Sequence, residues 1–100
     1  MTTIRDAAAA DVPGIAALER ECFSLPWTEE IVSSQLTGGG KVMLAAELDD
    51  ALAGYMGLQY VLDEGYVSNV CTAPEFRRRG VASALIDEMI RRARELELSF

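Results

Sequence analysis

The strongest constraint on the fold of this chain lies in residues 66–96, where a strand, a basic loop and an amphipathic helix follow one another directly. Tyr66–Thr72 is a β-prone run that ends before Pro74. Three consecutive arginines, Arg77–Arg79, then lead into a segment with apolar residues at three- and four-residue spacing, Gly80–Leu96. Such a loop puts cationic side chains beside the unpaired N–H groups of a helix start, an arrangement suited to a phosphate group.

The remaining patterns predict the other secondary-structure elements. Asp11 and Thr28 are good N-cap residues for two helices, the first running to about Cys22 and the second ended by the glycines at 38–40. Strands are predicted at Thr2–Arg5, Val42–Ala46, Leu52–Leu62 and Tyr66–Thr72, with turns at 49–50 and 63–65, and Leu98–Phe100 resembles the first step of a further strand. This order predicts an α+β fold in which helices pack on a mostly antiparallel sheet.

The length and net charge of the chain limit the classes of protein to which it can belong. One hundred residues fit one domain, 1–100, and a net charge of −7 argues against nucleic-acid binding through bulk electrostatics, although a basic protein or peptide remains a suitable partner. No stretch approaches the ~18 apolar residues of a membrane span, and the N-terminus does not resemble a signal peptide. We therefore expect a cytoplasmic protein that is not embedded in a membrane.

The sulfur-containing residues are predicted to be structural. Cys22 and Cys71 lie far apart in a chain without histidine or a CxxC motif, so we expect no metal site and two reduced, buried thiols. Cys71 has no histidine partner and is not predicted to be a nucleophile. Met43, Met56 and Met89 are expected in the core rather than in a metal site.

The basic loop carries the most specific motif of the chain. Its spacing, Arg77-x-x-Gly80-x-Ala82, matches neither a nucleotide P-loop nor a dinucleotide-binding fingerprint. It resembles the [Gln/Arg]-x-x-Gly-x-[Gly/Ala] signature with which the GNAT superfamily of N-acetyltransferases holds the pyrophosphate of acetyl-coenzyme A. The alternative interpretation is a solvated basic turn before an ordinary helix.

The resemblance extends to the whole chain and to one branch of that superfamily. The segments Phe23–Glu30 and Tyr60–Val70 are similar to those of the ribosomal-protein-alanine N-acetyltransferases, the RimI-type branch. This resemblance implies a GNAT fold and transfer of acetyl from acetyl-CoA to the α-amine of a protein N-terminus, of which an alanine-starting small-subunit ribosomal protein is the expected case. Two alternatives remain open: a GNAT enzyme acting on a small-molecule amine, and a non-catalytic coenzyme A-binding fragment.

The resemblance also implies site residues. The strand Val70, Cys71, Thr72 would pair its backbone with the pantetheine arm, and the pyrophosphate would be held by the loop residues Arg77, Arg78, Arg79, Gly80, Val81, Ala82 and Ser83. Tyr60, Leu62 and Glu64 would line the acceptor groove, with a solvated turn acid as the alternative for Glu64 and an ordinary core or surface position for the other two. Trp27 would either shape the acceptor pocket or pack as a staple between the first two helices.

The final expectations concern the C-terminal end and the last helix. In the branch that this chain resembles, the general base is a glutamate on the next strand and the general acid a tyrosine on the following helix, and both positions lie beyond Phe100. We therefore assign no catalytic residue to this chain and expect a domain that is incomplete at its C-terminus, inactive by itself, and oligomeric or less stable because one strand edge is exposed. Arg91, Arg92 and Arg94 are predicted to form a solvated face paired with Glu88 or Glu95.

Overall fold

The computed structural model describes residues 2–37 and 39–98. The elements are β1 (Thr3–Asp6), α1 (Val12–Cys22), α2 (Glu29–Ser34), β2 (Lys41–Leu48), β3 (Ala51–Val61), β4 (Glu64–Thr72) and α3 (Val81–Glu95), with 3-10 turns at Ala9–Asp11 and Pro74–Phe76. Within this part of the chain, no helix is both long and apolar enough to cross a membrane. Of the strand expected at Leu98–Phe100, residues 99 and 100 lie outside the described residues, and the Leu98 N–H bonds the carbonyl of Ala93 at 2.9 Å.

The predicted caps act in different ways. Thr28 caps α2, because its Oγ1 accepts the N–H of Ile31 at 3.3 Å. The Asp11 carboxylate instead accepts the N–H of Ala8 and a bidentate pair from Arg5, at 2.7 and 2.9 Å. The hydrogen bond from Arg5 holds the pKa of Asp11 below its ordinary value, although partial burial opposes the shift. The prediction that the glycines end α2 is wrong, since this helix stops at Ser34.

The four strands form one antiparallel sheet in the order β1-β2-β3-β4. The predicted hairpin between β2 and β3 is confirmed, and its turn residues Asp49 and Asp50 both have positive φ, 54° and 62°. Two such residues match the right-handed twist of the flanking strands. Strand β4 is at the edge of the described sheet, with β3 on its inner side.

The alternation of side chains along the strands divides the core into two layers. On one face, Leu44 and Met56 pack with Leu85 and Met89 of α3. On the other face, α1 and α2 contribute apolar residues that pack against Met43, Tyr55 and Cys71. The three methionines are buried, as predicted. Trp27 is half-buried against the second layer, which favours the interpretation of this residue as a packing staple.

The prediction of two free thiols is wrong. Cys22, the last residue of α1, and Cys71 in β4 form a disulfide across a sequence separation of 49. The prediction rested on compartment and on the distance between the two cysteines along the chain. Sequence distance does not show that α1 packs directly over β4, which is what brings the two sulfurs together.

The solvated face of α3 carries the predicted ion pairs of Arg91 and Arg92, whereas Arg94 is exposed and has no acidic partner in the described part of the chain. Arg91 and Arg92 bind Glu88 at 2.5 and 2.8 Å, and Arg92 also reaches Asp6 of β1 at 2.7 Å. The hydrogen bonds from Arg91 and Arg92 lower the pKa of Glu88 from 4.5 to about 2. The ion pair between Arg92 and Asp6 links α3 to β1.

Candidate functional site

A cavity of about 240 Å³ opens at the start of α3. It is lined by Thr72, Phe76, Arg77, Arg78, Gly80, Val81, Ala82 and Ser83. Every predicted cofactor-binding residue except Val70, Cys71 and Arg79 therefore lies at this one cavity. Phe76, which the sequence analysis did not include, forms part of the wall.

The backbone at the cavity has the conformation of a helix start that is open to a ligand. Gly80 is the N-cap of α3, with φ of 80° and no side-chain hydrogen bond to the helix. A Cβ built on Gly80 would meet nothing within 4 Å, so the requirement for glycine comes from the left-handed backbone rather than from crowding. The N–H groups of the first turn, at Val81–Ser83, thus begin the helix without a capping side chain and can receive an anion.

The three arginines of the loop have different surroundings. Arg79 pairs with Asp49 at 3.4 Å, and its guanidinium lies 5.7 Å from the ring centroid of Phe76. Arg77 and Arg78 are exposed and have no acidic partner among residues 2–37 and 39–98. Arg77 and Arg78 therefore have guanidinium donors available for a phosphate group.

A second, apolar groove of about 300 Å³ lies between β4 and α3. Its walls are Met56, Leu58, Val67, Val70, Ile86, Met89 and Ile90. Val70 stands two residues before Thr72 on the same face of β4, so the cationic cavity and the apolar groove share one strand. The first suits a phosphate group and the second an uncharged chain.

A β-bulge in β4 shapes the groove. Asn69 pairs with Gly57 and Val67 with Leu58, so Ser68 is an extra residue on β4. In a regular strand, Val67 and Val70 would point to opposite faces, whereas the bulge lets both line the groove. A Cβ on Gly57 would lie 2.6 Å from the Ser68 hydroxyl, so a larger residue there would force that hydroxyl to move.

The predicted acceptor residues lie at the other end of β4. Tyr60 pairs with Gly65 near the turn between β3 and β4, and Glu64 is the exposed first residue of β4. Leu62 is 91% exposed and has φ of 56°. The structure thus groups Tyr60, Leu62 and Glu64 at one turn, separate from the cationic cavity.

A buried carboxylate that was not predicted from the sequence lies on α1. Glu19 of α1 is 1% exposed. Its Oε1 accepts the backbone N–H of Trp27 at 2.7 Å, and its Oε2 accepts Nδ2 of Asn69 at 2.6 Å and the hydroxyl of Tyr55. The available signal was its place in the helix, four residues after Ile15, which puts an acid on the apolar stripe of α1.

The described residues contain no cluster of three or more histidine, cysteine, aspartate or glutamate side chains placed to hold a metal ion.

The sequence model of the acetyltransferase (GNAT) family matches residues 12–100, and the chain belongs to this family. It is 30% identical over 90 residues to the [ribosomal protein bS18]-alanine N-acetyltransferase of Salmonella typhimurium, with 90% of this chain and 60% of that protein covered. The chain thus spans about 60% of the length of this curated relative.

Solved structures of the same family share the fold. The crystal structure of the ribosomal-protein-S18-alanine N-acetyltransferase from Escherichia coli matches with a TM-score of 0.85 and 25% identity, over 95% of this chain and 61% of that one. An N-acetylglutamate synthase from Neisseria gonorrhoeae, complexed with coenzyme A and N-acetyl-glutamate, matches with a TM-score of 0.84 and 25% identity, over 99% of this chain and 24% of that one.

Proposed function

We propose that this protein transfers an acetyl group from acetyl-CoA to the α-amine of a protein N-terminus. The observation that carries the proposal is that a cationic cavity and an apolar groove are both lined by residues of β4 and α3. Membership of the GNAT family supports the reaction class. The names of the bacterial relatives support a ribosomal protein with an N-terminal alanine as the acceptor, which implies a cytoplasmic site of action.

In this proposal, the donor is held at two places. Arg77 and Arg78 bind the diphosphate together with the N–H groups at Val81–Ser83, because charge-assisted hydrogen bonds and a helix start both favour an anion there. The uncharged arm follows β4 past Thr72 and Val70 into the apolar groove. Once bound, acetyl-CoA supplies the activated acetyl group.

The protein then has to present an amine to the thioester. A backbone N–H of β4 near Val70 would polarise the thioester carbonyl, as preorganised donors do in acyl transfer. The attacking amine must be neutral, and an α-amino group has a pKa near ~8, so that much of it is protonated at neutral pH. Glu64 and Tyr60 at the β3–β4 turn are the proposed contacts for the acceptor, Glu64 through its charge.

The experiment is acetylation of defined peptides by the full-length protein. Peptides that begin with a free alanine should gain one acetyl group on the α-amine, located by mass spectrometry, and the same peptides with a blocked N-terminus should gain none. Acetylation confined to lysine side chains, or to small amines such as glutamate, would overturn the N-terminal assignment and leave a different GNAT activity. Failure to bind acetyl-CoA by calorimetry would overturn the proposal as a whole.

A further inference from the structure

Glu19 joins three separate parts of the fold through one buried carboxylate. Its donors come from the segment after α1, from β3 and from β4, at Trp27, Tyr55 and Asn69. No cation pairs with it among residues 2–37 and 39–98. A buried acid satisfied only by neutral donors requires each donor to be held in place, because an unpaired polar group at such a site is costly.

The contact with β4 is fixed at two neighbouring points. Glu19 and Cys22 lie one turn apart on α1, whereas Asn69 and Cys71 lie two residues apart on β4. The first pair is joined to the second by the 2.6 Å hydrogen bond and by the disulfide. The end of α1 therefore keeps a set position over β4, and the Trp27 N–H extends this attachment to the segment at residues 23–28.

The two faces of β4 serve different purposes. Val70 and Thr72 face α3, where the groove and cavity for the donor lie. Asn69 and Cys71 face α1. Since the donor arm fills the α3 side, an amine that attacks a thioester at β4 has to approach past the end of α1 and the segment at 23–28.

We propose that Glu19 is a positioning residue for the acceptor. Through Asn69 and the Trp27 N–H, its carboxylate sets the distance between the segment at 23–28 and the strand that holds the acetyl thioester. Glu19 itself touches neither substrate. This inference rests on the proposed acetyl transfer and adds to it the residue that aligns the two substrates.

The test separates the kinetic constants of the two substrates in the full-length protein. Asn69→Ala should lower kcat/KM for the acceptor peptide roughly ten- to a hundredfold, the scale expected for a small misplacement, while the affinity for acetyl-CoA changes less than about twofold. In the double variant Glu19→Gln with Asn69→Asp, the glutamine amide can donate to the aspartate carboxylate, so a hydrogen bond again joins α1 to β4. This variant should recover part of the lost kcat/KM for the acceptor peptide. Gln35→Ala, which removes the hydrogen bond to Gln59 near α2, is the matched control and should leave both constants unchanged.

If the hydrogen bond between Glu19 and Asn69 has only a structural role, the result should differ. In that case, Asn69→Ala would lower the thermal midpoint and reduce turnover with both substrates alike, or would leave the acceptor constants unchanged, and either result would overturn the proposal. If the unaltered protein transfers no acetyl group to any amine, the proposed function fails. Whether Glu19 holds the segment at 23–28 against β4 can then be tested through the fluorescence of Trp27, the one tryptophan of the chain. Its quenching by acrylamide should rise in Asn69→Ala but not in Gln35→Ala, and equal quenching in both would contradict the role of Glu19.

Discussion

The disulfide between Cys22 and Cys71 fastens the end of α1 to β4 beside the strand residues that face the donor groove. The segment between the two cysteines contains α2, β2 and β3. One covalent bond therefore closes about half of the chain into a loop and fixes the helix over the strand that we propose to hold acetyl-CoA.

Reduction of this disulfide should destabilise the protein. The chain-entropy relation for a loop of this length gives roughly 4 kcal/mol, and disulfides contribute about 2–4 kcal/mol in general. We expect the thermal midpoint to fall by about 10 °C or more on reduction, and Cys22→Ala with Cys71→Ala to melt at the lower temperature with or without reductant. Thiol titration of the denatured, unreduced protein measures the bond directly. Two reactive thiols per chain would contradict the disulfide.

Arg78 and Arg79 should contribute unequally to binding of acetyl-CoA. Arg78 lines the cavity without an acidic partner among the described residues, whereas Arg79 is already paired with Asp49. Arg78→Ala should weaken binding by about 1–3 kcal/mol, the range for hydrogen bonds to charged groups, and Arg79→Ala by less. Calorimetry with acetyl-CoA compares the two variants. An equal or larger loss for Arg79→Ala would contradict the assignment of Arg78 to the diphosphate.

Gly80 should not tolerate a β-branched side chain. Its φ of 80° lies in the left-handed region, which costs other residues roughly 1–2 kcal/mol, and valine is among the least suited. Gly80→Val should lower stability and weaken acetyl-CoA binding more than Arg78→Ala does, because the start of α3 has to move. Gly39→Ala is the control, since a Cβ there would meet nothing within 4 Å and no positive φ is involved. Equal behaviour of the two glycine variants in melting and calorimetry would refute this explanation.

The ion pairs of Glu88 should make a small, pH-dependent contribution to stability. Its folded pKa of about 2 lies below the ordinary 4.5, so the contribution is complete above about pH 4.5 and is lost as the pH falls toward 2. Because Arg91 is largely exposed, we expect at most about 1 kcal/mol. The difference in thermal midpoint between the unaltered protein and Glu88→Gln should shrink over that window, whereas Asp87→Asn should show no such trend. A difference in thermal midpoint that grows toward acid pH would contradict the lowered pKa of Glu88.

Local signals in the sequence predicted most of the secondary structure. The Thr28 cap, the turn at Asp49–Asp50 and the apolar spacing of α3 each act within a few residues, and the structure contains all three features. The same is true of the loop before α3, because cationic side chains, a glycine and a helix start lie next to one another along the chain. Most of the predicted cofactor-binding residues therefore meet at one cavity.

Long-range contacts were beyond the reach of such signals. The pairing of Arg79 with Asp49, and the meeting of Glu19 with Asn69, join residues 30 and 50 positions apart. The sequence around each of these residues does not indicate its partner. The acid on the apolar stripe of α1 indicated that Glu19 needed donors, but only the packing of α1 over β3 and β4 identifies them.

The sequence by itself determined the α+β class, the order of the elements, the membership in the GNAT family and the basic loop at the start of α3. These depend on periodicity, caps and a contiguous motif, each of which acts over a short stretch of chain. The tertiary structure alone decided that Cys22 bonds Cys71, that Ser68 bulges so that Val67 and Val70 share one groove, and that Glu19 is buried among three donors. These depend on how distant segments pack, because sheet register and the seating of a helix are set by the whole core and not by any one segment.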